Sequence, residues 1–202
     1  MIIKKRVEIM RKISTALAVA LMIVSGVIGI GIGYWLTPQY SLSMYEKGTM
    51  DLGEPDRWID LRYMDAMISH HREAVLLAEE AAISERPEIR ALTGEILKNE
   101  PLAIGELYRW KKEWYGDVRM VRDPRVPRLG SYDRTFDLRF LNAMIAHHEA
   151  GIRMTGEIRL KSSRSAILDN ADDVEQFFHE GLGMFRAWRT SWYSVRERKP
   201  EL

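Results

Sequence analysis

The chain has 202 residues, a formal net charge of +1 and no cysteine. That length suits one compact domain with an appendage, and the absence of thiols excludes disulfides, thiolate metal sites and cysteine nucleophiles. The near balance of charge leaves no electrostatic footprint for nucleic acid.

Residues 1–12 hold five basic side chains and one acidic, leaving 25 basic against 28 acidic in the remainder. Ile13 to Leu36 is an uncharged run of 24 residues. Roughly 20 apolar residues span a bilayer, so residues 13–36 are expected to form one transmembrane anchor. The basic flank keeps residues 1–12 cytoplasmic and the rest extracytoplasmic, as in a single-pass protein of the cell membrane. A cleaved signal peptide is the rival reading, but the run exceeds the usual ~7–15 apolar residues and no clear A-x-A site follows. Gly29 and Gly33 form a G-x-x-x-G pair that would let anchors pack into a homo-oligomer.

Residues 37–55 contain Pro38, Gly48, Gly53 and Pro55 without sustained periodicity, and read as a linker. Asp56 is the expected N-cap of a first helix running to about Ser84. On a helical wheel one arc collects Tyr63, Met64, Met67, His71, Ala74, Val75, Ala78 and Ala81. The opposite arc holds Arg62, Asp65, Ser69, Arg72, Glu73, Glu79 and Glu80, so the helix is amphipathic. Pro87 suits the first turn of a second helix ending near Tyr115, and Pro101 inside it predicts a kink. Residues 116–131, with Gly116, Asp123-Pro124, Pro127 and Gly130, read as a crossover loop. A third helix is expected over about 132–160 and a fourth over about 165–195.

The halves repeat. Asp60-Leu-Arg-Tyr-Met-Asp-Ala-Met-Ile-Ser-His-His71 matches Asp137-Leu-Arg-Phe-Leu-Asn-Ala-Met-Ile-Ala-His-His148 at an offset of 77 residues. Trp110, Trp114 and Tyr115 match Trp188, Trp192 and Tyr193 at an offset of 78. No strand-period segment appears. The expectation is an all-α four-helix bundle over 56–197, built from hairpins at 56–115 and 132–195.

Four of the five histidines lie in the repeated segments. His71 and His148 fall near the centre of their apolar arcs, with His70 and His147 at the edge. Met67 and Met144 stand one turn earlier, and Met154 lies near the edge that His147 occupies. Asp60 and Asp137 also project into the apolar arcs, where a carboxylate needs a partner. Two readings stay open: a transition-metal site using imidazole and thioether, or histidines hydrogen-bonded across a core in which the methionines pack. Imidazole suits zinc, copper, iron and nickel, and thioether adds a preference for cuprous copper. Glu-x-x-His ligation of a di-iron centre is missing, because Met67, Ile68, Met144 and Ile145 stand three residues before the histidines. His148-Glu149 begins like a zincin motif, but Ile152 replaces its second histidine. No catalytic constellation emerges. His179, matched by Pro101, reads as surface or boundary.

The doubled Asp-x-x-aromatic-x-x-x-Met-Ile-x-His-His pattern resembles the bacterial family described as domain of unknown function 305. The resemblance covers about residues 56–195, with Asp60, Met67, His70 and His71 matching one motif and Asp137, Met144, His147 and His148 the other. It implies a ferritin-like fold and an exported or membrane-anchored protein, with copper as the cofactor or cargo. The chain departs from the family at Ser69 and Ala146, where proline is usual. It also departs at Phe178 and Gly181, where glutamine or glutamate is usual.

The expectation is a membrane-anchored, extracytoplasmic metal-binding protein that sequesters or hands over copper. His71 and His148 would lead the ligand set. His70, His147, Met67, Met144 and Met154 are further ligands, and Asp60 and Asp137 are outer partners of the site or helix-end partners. Another transition metal stays open, as does the protein partner. The alternatives are a non-metal interaction bundle and, ranked last, a ferritin-like oxidase.

Overall fold

The structure, a computed structural model, describes residues 52–194. Four helices account for most of them: α1 (Ile59–Ala81), α2 (Pro87–Tyr115), α3 (Phe136–Arg159) and α4 (Ser165–Tyr193). No strand occurs among the described residues, so this part is all-α. The expected anchor at 13–36 lies outside the described residues. Within them, no helix is long and apolar enough to cross a membrane.

Each hairpin packs on itself, α1 on α2 and α3 on α4, and the two hairpins meet through α1 and α3. Asp60 at the start of α1 bonds Ser162 just beyond α3, while Asp137 at the start of α3 bonds Ser84 just beyond α1. The two central helices are therefore antiparallel. Each carries its histidine pair near its middle.

Two apolar clusters fill the bundle. One holds Leu77, Ile89, Phe136, Phe140, Leu141, Met144 and Phe185. The other holds Leu52, Tyr63, Met64, Met67, Leu107, Met154 and Ile167. Along α1 and α3 the histidines lie between these clusters. Full burial of each large side chain contributes about 1.5–3 kcal/mol, so the apolar ends hold the polar middle layer in place.

Several boundaries differ from the sequence reading, each for a local reason. Asp56 is not the N-cap of α1. The helix starts at Ile59, and the Asp56 carboxylate accepts the Trp58 N–H at 2.8 Å and an Arg62 N–H at 2.9 Å. Residues 52–55, expected as part of a linker, belong to the packed fold. Leu52 is buried, and Arg62 donates to the carbonyls of Leu52 and Glu54 at 2.5 and 2.6 Å. Arg139 makes the same pair of bonds to Leu129 and Ser131, at 2.5 and 2.6 Å. The repeat thus begins before its helices do. Gly53 and Gly130 hold equivalent places with φ of 71° and 78°, a region in which a side chain is strained. Pro87 begins α2 as expected, and Pro101 lies inside that helix without ending it.

A reciprocal clasp joins the hairpins at both ends. The Asp60 carboxylate accepts from Ser162 Oγ at 2.6 Å and Arg164 Nε at 2.9 Å. The Asp137 carboxylate accepts from Ser84 Oγ at 2.8 Å and Arg86 Nε at 3.1 Å. Arg164 then lies over the Trp114 ring and Arg86 over the Trp192 ring, at 4.3 and 4.2 Å from the ring centroids. These contacts supply the partners that two buried carboxylates require.

Candidate metal centre

Residues ten positions apart on a helix are separated by roughly 15 Å. Asp60 and Asp137 are therefore well removed from the histidine layer, and their bonds serve the clasp. The layer itself forms because α1 and α3 present equivalent edges to each other. His70 on one and His147 on the other stack face to face, with ring centroids 3.7 Å apart and planes 6° from parallel. Both are buried.

Beside them lies Glu73, one turn after His70. Its Oε2 is 3.3 Å from His147 Nδ1 and 3.9 Å from His70 Nδ1. His70, Glu73 and His147 each offer a ligand atom, and these atoms all lie within 4.8 Å of one another. The wheel placed Glu73 on the solvent arc, and the structure corrects this: Glu73 is only 8% exposed. The wheel assumed one covered face, whereas α1 is covered by α2 on one side and α3 on another. The i, i+3 spacing of His70 and Glu73 was the available signal. A search for Glu-x-x-His passes over the reversed order.

His71 turns instead toward α2, where its Nδ1–H donates to the Glu100 carboxylate. Glu100 was not singled out from the sequence, because nothing there shows which face of α2 meets α1. His148 turns toward α4. Its Nδ1–H donates to the Met144 carbonyl at 3.0 Å. Phe178 and Phe185 meet its ring edge-on, with centroids at 5.0 and 4.9 Å. Phe178 and Gly181 of α4 both close on this ring. A Cβ at Gly181 would lie 2.4 Å from His148 Nε2, so only glycine permits this approach of α4. Phe178 in turn needs Gly151, whose Cβ would stand 2.0 Å from its ring.

Burial pushes the His70 imidazole well below its ordinary range, with His147, His71 and His148 adding to the effect. Burial likewise pushes His148 down to about 3, helped by His147 and opposed by its bond to the Met144 carbonyl. Both rings are thus neutral near pH ~7, the form in which imidazole ligates a metal. Nε2 of His70 and of His71 is buried with no hydrogen-bond partner. Such atoms are rare in folded proteins and call for an explanation.

The methionines divide. Met144 lines a cavity of about 220 Å³ with His147, His148, Glu100, Phe178 and Met184. Met67 and Met154 lie in the opposite apolar cluster. His179 is exposed and faces Glu175 at 3.7 Å.

These donors fit a transition ion. Two imidazoles and a carboxylate are already near one another, and further imidazole nitrogen is buried without a partner. No curated protein matches the chain. Among solved structures, CopM in the Cu(I)-bound form is similar, at 25% identity and a TM-score of 0.61, covering 68% of this chain and 99% of that one. CopM in the apo form is also similar, at 25% identity and a TM-score of 0.59, covering 66% of this chain and 98% of that one. A family model described as a domain of unknown function (DUF305) matches residues 60–128 and again 137–200, one match for each hairpin. With both repeats matched and most of the chain covered, the protein belongs to the DUF305 family.

Proposed function

We propose that this protein binds copper at the α1–α3 contact and serves to sequester the ion or hand it on. The observation that carries the reading is the buried meeting of His70, His147 and Glu73, with imidazole nitrogens left unpaired beside them. His71, His148 and Met144 flank this cluster and are further donors. The similarity to CopM in the Cu(I)-bound form supports copper over other ions suited to imidazole. Residues 13–36 would anchor the domain in the cell membrane with the bundle on the extracytoplasmic side. A ferritin-like description of the bundle and a role as carrier, not catalyst, complete the proposal.

The test is a titration of the full-length chain with cuprous copper, cupric copper and zinc against a competing chelator. Stoichiometric copper binding should disappear when His70 and His147 are both replaced by alanine. Unchanged affinity in that variant sinks the proposal.

A second reading has its own support. The Glu73 carboxylate lies between the two Nδ1 atoms of the stacked rings, as a purely structural network would also place it. On that reading no metal binds in stoichiometric amount, and copper leaves the melting temperature unchanged.

A further inference from the structure

The two histidine pairs are alike in sequence and unlike in surroundings. At the helical offset of 78, the counterpart of Glu100 is Phe178, and at 77 the counterpart of Glu73 is Ala150. The two carboxylates bonded to these histidines therefore both come from the first hairpin. His71 has a carboxylate behind it, and both side chains are largely withdrawn from solvent. A carboxylate accepts and does not donate, so the neutral ring holds its proton on Nδ1 and its lone pair on Nε2. That Nε2 is one of the buried atoms without a partner. A carboxylate behind an imidazole is the arrangement that fixes ring and tautomer in metal sites and raises the basicity of the ligand nitrogen.

His148 has no such support. Its Nδ1–H goes to a main-chain carbonyl of its own helix. Phe178 offers no acceptor, and the other ring nitrogen abuts Gly181 of α4.

We infer that Glu100 is a positioning residue of the proposed copper centre, presenting His71 Nε2 to the ion, and that Phe178 withholds this role from His148. The inference rests on the copper reading. It makes the first hairpin the source of both carboxylates bonded to the histidines, while the second contributes the His147 imidazole.

The experiment compares copper affinity of the full-length chain with that of Glu100→Leu, His71→Ala, the double variant and His148→Ala. Glu100→Leu should weaken binding by about 10–100-fold. Added to His71→Ala it should cost nothing further, because a residue acting through His71 has nothing left to position. His148→Ala should cost less than His71→Ala. Additive losses, or equal losses at the two histidines, overturn the inference. Nitrogen-15 NMR of the wild-type protein near pH ~8 reads the tautomer without metal and without relying on any variant to fold. A His71 proton on Nδ1 alone is expected, and a proton on Nε2 overturns the inference. A wild type that binds no copper overturns the reading beneath it. A wild type that binds, with Glu100→Leu unchanged, overturns only the role of Glu100.

Discussion

Replacing Gly151 with alanine tests whether the aromatic wall of the histidine layer is as tightly seated as the geometry requires. Alanine in a helix interior is favoured over glycine by roughly 0.5–1 kcal/mol. Gly156, on the same helix, has nothing within 4 Å of the place a Cβ would take, so Gly156→Ala should gain that amount. At Gly151 the added carbon would stand 2.0, 2.5 and 2.6 Å from three atoms of the Phe178 ring. Ordinary contact begins at 3.4 Å, so the ring must retreat by more than an ångström. It is itself buried against His70 and His148. Overpacking of a filled core costs typically about 1–3 kcal/mol, and this overlap belongs at the upper end. After the helical gain, Gly151→Ala should destabilise by roughly 2 kcal/mol. The two variants therefore move urea midpoints in opposite directions, at unchanged slope. In a Phe178→Ala background the obstacle is gone, and Gly151→Ala should then stabilise like Gly156→Ala. A Gly151→Ala protein as stable as Gly156→Ala refutes the packing described.

Acid should unfold the metal-free protein through its buried imidazoles. Folded His148 titrates at about 3 against 6.5 for the ordinary ring, so between those values the unfolded chain binds a proton that the folded chain refuses. Stability is then full above pH ~6.5 and falls as pH drops, by roughly 2–3 kcal/mol at pH ~4.5 from His148, with His70 acting in the same direction. Urea midpoints that stay flat from pH ~7.5 to ~4.5 contradict this. Asp60→Ala and Asp137→Ala each remove the acceptor of a serine and an arginine, and each should cost roughly 1–3 kcal/mol. Because the clasps sit at opposite ends, the double variant should show additive losses in thermal or urea unfolding. Glu73→Gln keeps the shape of the cluster and removes its charge. It should lower copper affinity by at least about tenfold in the chelator competition, whereas a structural network alone predicts no metal effect.

The helices were legible because each carries its own signals. Pro87 marks the start of α2, and the apolar period of α1 recurs in α3 at a constant offset. The all-α architecture follows from features within about 30 residues of each other, consistent with helix lengths set locally. The clasp was half legible. Asp60 and Asp137 stood out as carboxylates on apolar arcs, but their partners are Ser162, Arg164, Ser84 and Arg86, in the turn of the other hairpin. Those residues also recur at the offset of 78, yet only the antiparallel pairing of α1 with α3 brings them to the aspartates. The histidines were legible as a set and not as a geometry. His71 and His148 looked central on a wheel with one covered face. The second covered face of α1 makes His70 and His147 the pair that touches and draws Glu73 inside. Glu100 needed knowledge of the α1–α2 register. Met67 and Met154 follow ordinary packing into an apolar cluster.

The reciprocal clasp has a consequence for how this chain assembles. Each hairpin carries both an aspartate at its first helix and a Ser-x-Arg sequence in its turn, yet neither can close on itself. Contacts such as Ser162 with Asp60 span 102 residues, so each half waits for the other. A lone hairpin with both features is self-complementary, and two copies would mate about a twofold axis. Joining the copies through residues 116–131 keeps that pairing at fixed stoichiometry and frees the halves from having to be identical. A symmetric pair would hold two glutamates or two phenylalanines beside its histidines. The fused chain can hold Glu100 on one side and Phe178 on the other.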